Sequence, residues 1–403
     1  MAVRPVVDLK QLGPDFLRDP YPVYARLRAE APVHPVLDPD GEELWLVVGH
    51  EACRTAFTHP LLSRDWRKHG NVGQIINTDQ DQPALAHMLM SDPPEHTRLR
   101  RLVAREFTPR RIEGLAPRIQ QLTGDLLDAM AARPGRRADL IASFAFPLPM
   151  TVICELLGVP ELDRAAFRDW SNEMVARTSP EAEARAYQEM PAYLAGLIET
   201  KRSRPGDDLL SALIHTADAD DDDRLSPEEL IGMCVLLLIA GHETTVNLIG
   251  NGMRALFAHP DQFAALRADP DGLLDGAIEE MLRYDGPVET CTDRLALADV
   301  EIGGVTIPAG STVLIAMADA DRDPERFPEP ERFDIRRDAR GHIAFGHGLH
   351  YCLGAPLARL EGRIAFRALL ERFPGLALDA DEAALPWIPG LLIRGVRELP
   401  VRW

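Results

Sequence analysis

Phe345-Gly346-His347-Gly348-Leu349-His350-Tyr351-Cys352-Leu353-Gly354 holds one cysteine in a loop with three glycines. Behind it, Ala355-Pro356-Leu357-Ala358-Arg359-Leu360-Glu361 reads as a helix start. A proline in the first turn gives up only an N–H that would have no partner there anyway. The order of residues predicts that the Cys352 sulfur sits just before a helix N-terminus. Backbone N–H groups and the positive end of the helix dipole favour a thiolate at such a place. The glycines let the chain turn sharply and let a large flat ligand approach the backbone.

A free cysteine is most often a small buried hydrophobe. The ten-residue frame argues otherwise here. A thiolate at a helix start beneath a planar group is a way to hold haem iron through sulfur, a ligand that pushes electron density toward O–O cleavage. F-G-x-G-x-H-x-C-x-G resembles the cysteine signature of the cytochrome P-450 superfamily. The resemblance implies haem b with Cys352 on the iron, further cofactor contacts from Phe345, Gly346 and Gly354, and a propionate anchor at His350.

The chain has 403 residues and a formal net charge of −19, which argues against a general nucleic-acid binder. No Gly/Ser-rich linker, repeat or composition break divides it, so residues 1–403 read as one domain. Cys53, Cys154, Cys234, Cys291 and Cys352 are odd in number and widely spaced. That pattern suggests neither a disulfide frame nor a zinc site and fits a reducing cytoplasm. The N-terminus lacks the apolar core of a signal peptide, and the longest apolar run, Val235 to Gly241, is far short of a membrane span. The expectation is a soluble, monomeric, cytoplasmic protein that takes electrons from separate proteins.

Pro20 to Ala29 reads as a helix with Tyr21, Tyr24 and Leu27 as its stripe. Asp40-Gly41 before Leu44-Trp45-Leu46-Val47-Val48 reads as a hairpin. The weak pattern from Asn71 to Met90 reads as a long, mobile connection of the kind that often binds ligands. In Asp92-Pro93-Pro94-Glu95-His96-Thr97-Arg98-Leu99-Arg100, His96 and Arg100 share a helix face. That face is either a solvated basic stripe or a holder of carboxylates, a task that suits Arg geometry. The family resemblance extends to this H-T-x-x-R spacing and implies that both hold haem propionates, as does Arg294. The aspartate run Asp220 to Asp223 reads as a solvated loop.

Ser226-Pro227-Glu228-Glu229 is a capping box that opens a helix running to Phe257, about 30 residues or roughly 46 Å. Its apolar composition marks it as buried. Within it stand Ala240-Gly241-His242-Glu243-Thr244-Thr245, polar groups that are costly in a buried helix unless paired or functional. Gly241 is a poor helix former and reads as the site of a local bulge. The A-G-x-E-T pattern resembles the family's oxygen groove. It implies that Ala240 and Gly241 contact the cofactor, that Glu243 and Thr244 are catalytic through proton delivery, and that His242 lies on the substrate side.

Glu280 and Arg283 lie three apart on a helix and can pair. The resemblance extends to this E-x-x-R pair and implies a structural lock completed by Arg332 of Pro330-Glu331-Arg332-Phe333. Val300 to Ala316 reads as a small antiparallel sheet, and Leu357 to Phe373 as the helix behind the cysteine. Arg359, Arg363 and Arg367 lie four apart on that helix and read as a basic face for an acidic partner.

The implied fold is mainly α, the triangular-prism form of the superfamily with a small antiparallel β region. The implied chemistry is oxygen insertion from O2 into a C–H bond or alkene, with electrons from NAD(P)H through ferredoxin reductase and ferredoxin. Motifs around Glu280, Glu243 and Asp334 are similar to those of bacterial macrolide hydroxylases of the pikromycin type, implying a hydrophobic polyketide or macrolide substrate. One departure stands out. Members that grip an amino sugar can carry an acid directly before Ser-Asp-Pro-Pro, where this chain has Met90, with Asp81 further back as a substitute. A peroxide-driven peroxygenase and a non-enzymatic haem sensor are the alternatives. The Glu243-Thr244 pair favours dioxygen, and no output segment for a sensor is visible.

Overall fold

The computed structural model describes residues 7–38, 41–65, 67, 83–105, 107–160, 164–176, 179–218 and 224–403. Asp81 and the run Asp220 to Asp223 lie outside them. Of the expected connection over residues 71–90, the described part holds two short 3-10 turns, Pro83–Leu85 and Met88–Met90. By packing, the chain divides into two compact units. One comprises Met1–Ser63, Gln120–Ala145 and Thr244–Trp403; the other comprises Arg64–Ile119 and Phe146–Glu243.

The first unit carries a six-stranded sheet in the order Val7–Asp8, Val33–Leu37, Glu43–Val47, Thr312–Ile315, Arg294–Ala296, Leu62–Ser63. Its strands are short, and Val33, Val47, Ala296, Val313 and Ile315 are buried in one apolar cluster with Cys53 and Phe57. The Val300 to Ala316 stretch departs from the antiparallel expectation in one respect. Val300–Ile302 and Val305–Ile307 form an antiparallel hairpin, but Thr312–Ile315 runs parallel to Glu43–Val47. Parallel pairing needs a long crossover, and the 264 residues between these strands (48–311) are invisible to a local hairpin reading. The second unit is built from helices, among them Glu95–Ala104, Pro147–Leu157, Arg164–Ala176, Pro180–Ser203 and Leu209–Ala217.

The long helix runs Pro227–Ala258, and the division between the units falls within it, between Glu243 and Thr244. Its start is the capping box expected. The Glu229 N–H donates to Ser226 Oγ at 3.2 Å and the Ser226 N–H to Glu229 Oε2 at 2.8 Å. The helix is continuous through Gly241, so the expected bulge is absent. A Cβ at Gly241 would meet Ile153 at 2.8 Å, so glycine serves the close approach of Ile153 from the helix Pro147–Leu157. Among the described residues this one helix is long and apolar enough to cross a membrane, and 67% of its apolar window is buried inside the protein.

Glu280 and Arg283, on the helix Pro270–Asp285, have fully buried side chains. Arg283 donates to both Glu280 oxygens, at 2.7 and 2.9 Å, and to the carbonyls of Asp321, Pro330 and Arg332. The third arginine differs from the expected one. Arg332 lends only its carbonyl, and its side chain is 58% exposed beside Glu329 and Asp334. Arg337 Nε instead reaches Glu280 Oε1 at 3.3 Å, while its other nitrogens hold the carbonyls of Pro328, Glu329 and Arg332. A side chain at Arg332 points away because its own carbonyl is already turned inward to Arg283.

Removing one partner of a buried ion pair costs about 3–5 kcal/mol. Glu280→Ala is expected to lower the urea unfolding free energy by that amount. Arg337→Ala should cost about 1–3 kcal/mol through lost charged hydrogen bonds, and Arg332→Ala less than about 0.5 kcal/mol, as for an ordinary surface change. An Arg332→Ala loss larger than that of Arg337→Ala contradicts the assignment.

Candidate active site

The cysteine loop is held by its own backbone. Gly346 and Gly348 take positive φ values of 75° and 73°, and a Cβ at Gly348 would also crowd Thr58 at 3.0 Å. The Cys352 N–H donates to the Phe345 carbonyl at 2.9 Å, closing the loop on itself. Upstream, Asp321 Oδ1 accepts the Ile343 N–H at 2.7 Å. Cys352 is exposed, whereas Cys53, Cys154, Cys234 and Cys291 are buried. The helix Ala355–Arg372 begins just beyond it with proline in the first turn, so the sulfur stands at a helix N-terminus as expected. His350 ends the short 3-10 turn Gly348–His350 within the same loop, and Gly354 is the residue from which the helix departs.

Phe345 is fixed by a clamp that sequence reasoning passed over. The Arg359 guanidinium lies 4.5 Å from its ring centroid. Arg359 forks onto Glu279 at 2.6 and 2.8 Å. His342 Nδ1 accepts the Ala344 N–H, so its Nε2 carries the proton and donates to Glu279 Oε2 at 3.1 Å. Burial opposes the charge on Glu279, but the hydrogen bonds from Arg359 and His342 hold its carboxyl down at about 2. Arg363 pairs with Asp275 at 2.7 Å and Arg367 with Asp271 at 2.6 Å. The stripe that reads as basic is thus matched acid for base by the helix Pro270–Asp285. Only a fold that sets two helices side by side reveals that.

In the long helix, residues 232–238 and 245–253 are buried. Between them Ala240 is exposed, and Gly241 and Thr244 are half-buried, so the helix opens at the expected motif. Glu243 and His242 are buried, at 8% and 1% exposure. His242 Nδ1 lies 2.7 Å from the Leu238 carbonyl, and Nε2 lies 3.1 Å from Ser171 Oγ and 3.2 Å from Glu243 Oε1. Both ring nitrogens are committed inside the protein. His242 is expected on the substrate side, and its two ring nitrogens are turned to Leu238, Ser171 and Glu243.

His96 is buried on the helix Glu95–Ala104, and Arg100 is half-buried one turn on. Burial, then the Arg100 charge, lowers the pKa of His96. Arg294 is buried, donates from Nη1 to the Leu62 carbonyl at 3.3 Å and covers the Phe57 ring. Its Nε has no hydrogen-bond partner among the described residues. Met90 is half-buried, with Arg64 Nη2 3.2 Å from its sulfur. Arg64 is itself buried and tied to the Leu89 carbonyl and, by its N–H, to Asp92. His96, Arg100, Met90, Ala240, Gly241, His242 and Glu243 belong to one unit; Thr244, Arg294, Phe345, Gly346, His350, Cys352 and Gly354 belong to the other.

The family model for cytochrome P450 matches residues 180–384. Over 403 residues the chain is 59% identical to the cytochrome P450 monooxygenase PikC of Streptomyces venezuelae, spanning 100% of this chain and 95% of that protein. It is 47% identical over 396 residues to the 6-deoxyerythronolide B hydroxylase of Saccharopolyspora erythraea, spanning 96% of each. Among solved structures, the tirandamycin C-bound P450 monooxygenase TamI matches with a TM-score of 0.89 at 48% identity, covering 98% of this chain and 99% of that one.

Glu361, on the helix behind the cysteine, is 1% exposed, and neither carboxylate oxygen has a hydrogen-bond partner among the described residues. Burial pushes its pKa up to about 8. A carboxyl raised in the folded state stabilises fully below its unfolded pKa, and that contribution is lost as pH rises through the folded value. Wild-type stability should therefore fall relative to Glu361→Gln between about pH 4 and pH 8. Unfolding free energies of both proteins across that window check it; parallel profiles refute it.

Proposed function

The chain belongs to the cytochrome P450 family and is an oxidoreductase of the monooxygenase kind, and we propose that it inserts one oxygen atom from dioxygen into a hydrophobic polyketide or macrolide-type substrate. The observation that carries this reading is Cys352, the one exposed thiol of five, at a helix start in a loop braced from both ends.

The family implies haem iron with a cysteine thiolate ligand, and the residues present fit it. A sulfur at a helix N-terminus is favoured as the thiolate. The long helix opens at small residues, Ala240 and Gly241, where a flat group can lie. Arg294 is a buried cation with an N–H to spare, the donor that a propionate needs. We assign Cys352 to the iron, and His96, Arg100, Arg294 and His350 to the propionates. Bound haem supplies the activation of dioxygen. The chain holds the group, keeps the sulfur anionic, and moves protons through Glu243 and Thr244.

P450s of this type use redox partners; we assign the electrons to ferredoxin and ferredoxin reductase fed by NAD(P)H. The substrate class rests on relatives. One is named for 6-deoxyerythronolide B, and the solved TamI structure holds tirandamycin C. The resemblance puts Met90 on the substrate side, a neutral side chain whose sulfur lies beside Arg64. With methionine there in place of an acid, an ammonium group lacks that counter-ion, so the preferred substrate lacks an amino sugar. In haem-absorbance titrations, a macrolide without an amino sugar should bind at least about tenfold more tightly than its amino-sugar counterpart, a 1.4 kcal/mol difference. Equal or reversed affinities overturn that part.

Cys352→Ser is expected to abolish the strongly red-shifted absorbance of the reduced carbon-monoxide complex. A variant that binds haem and keeps that spectrum removes Cys352 from the iron. Thr244→Ala should leave substrate binding nearly intact while diverting reducing equivalents to peroxide. An unchanged ratio of product formed to NAD(P)H consumed contradicts the role of Thr244. Efficient turnover with peroxide alone points instead to a peroxygenase.

A further inference from the structure

We propose that His242 is the proton-holding partner of Glu243, reloaded from solvent through the Ser171 hydroxyl; this rests on the monooxygenase reading of the Glu243 site. The geometry determines where the protons stand. The Leu238 carbonyl can only accept, so His242 Nδ1, 2.7 Å away, carries a hydrogen. Nε2 then faces both Ser171 Oγ at 3.1 Å and Glu243 Oε1 at 3.2 Å. A carboxylate oxygen beside a bare ring nitrogen sets lone pair against lone pair. A proton on Nε2 or on Oε1 removes that repulsion.

The two arrangements carry the same net charge. Imidazolium with carboxylate sums to zero, and so does neutral imidazole with carboxylic acid. A hop between Nε2 and Oε1 thus moves no net charge through a buried place, where a lone ion is expensive. When Glu243 gives its proton onward, a carboxylate and a neutral ring remain, and the cluster is left at −1. A proton taken from solvent water restores the starting charge. Nε2 accepts it, and the solvent is left one proton poorer for each proton delivered.

Ser171 marks the entry. It is 1% exposed and sits on the helix Arg164–Ala176. Its hydroxyl lies 3.2 Å from the carbonyl of Arg168, a residue one turn away that is exposed. The hydroxyl can donate to that carbonyl when Nε2 is protonated and to Nε2 when it is not. Phe146 packs edge-on to the ring, with centroids 5.7 Å apart, and the Arg168 guanidinium lies 4.6 Å from the Phe146 centroid. Among the described residues, the ionisable groups recorded beside this cluster are Glu243 on the same helix and, across the Phe146 ring, Arg168 from the neighbouring one. His242 acts through Glu243, which makes it a positioning residue for protons.

The test reads His242 directly. In the diamagnetic ferrous carbon-monoxide complex, nitrogen NMR of labelled histidine should show His242 with hydrogen on Nδ1, and Glu243→Gln should change the Nε2 chemical shift. During turnover, His242→Gln should reduce product per NAD(P)H by about tenfold, the low end of general acid–base contributions being larger still, and should flatten the pH dependence of that ratio. Ser171→Ala should slow turnover more in deuterated water than the wild type is slowed, and Ser171→Thr should restore it. A His242 Nε2 chemical shift indifferent to Glu243→Gln, or a His242→Gln enzyme with wild-type coupling and pH profile, overturns the proposal. Those outcomes leave the monooxygenase reading intact. That reading fails instead if wild-type protein forms no oxygenated product, a result that the NMR shift does not depend on.

Discussion

Glu280 and Arg283 are two charges taken wholly out of water, and neither can lose the other. The guanidinium spends its remaining donors on the carbonyls of Asp321, Pro330 and Arg332. The carboxylate takes the Asp334 N–H and Arg337 besides. A stretch with almost no regular structure, residues 321 to 337, is thereby pinned to a helix. Asp321 then holds the Ile343 N–H, and from Ile343 the chain enters the cysteine loop. The position of one sulfur traces back, bond by bond, to one buried ion pair.

A second line of support arrives from the other side. The helix that begins after Cys352 sends Arg359 back over Phe345, and Glu279 locks Arg359 in place with help from His342. Glu279 and Glu280 are neighbours on one helix. One braces the approach to the loop and the other braces its aromatic wall. The same helix therefore positions the sulfur along two separate paths, and movement of the loop requires both to give way.

Much of this was legible in the sequence where the signal is local. The capping box at Ser226 and Glu229, the proline-opened helix after Cys352 and the Glu280–Arg283 spacing each depend on residues within one turn of each other, and each stands as read. What failed depended on distance. Arg332 lies in the motif, yet Arg337 reaches Glu280, because a meandering backbone presents a carbonyl at one arginine and a guanidinium at the other. Gly241 reads as a bulge by propensity, but its reason is Ile153, nearly ninety positions earlier. Arg359, Arg363 and Arg367 read as a free basic face until Glu279, Asp275 and Asp271 come alongside. Ser171 carries no sequence signal at all. Its meaning appears only when it stands beside His242.

The distribution of sulfur has a consequence for how the molecule ages. Peroxide escaping from oxygen chemistry attacks thiolates and carries them through sulfenic to sulfinic and sulfonic acids, the later stages irreversible. Cys53, Cys154, Cys234 and Cys291 are buried. Burial raises the pKa of the Cys53 thiol and pushes that of Cys234 up to about 12, which deprives them of the reactive form. Oxidative wear is thus channelled to Cys352. If Cys352 is the iron ligand we propose, a spent molecule keeps its buried thiols and loses its hold on the iron, and its working life is measured at a single atom.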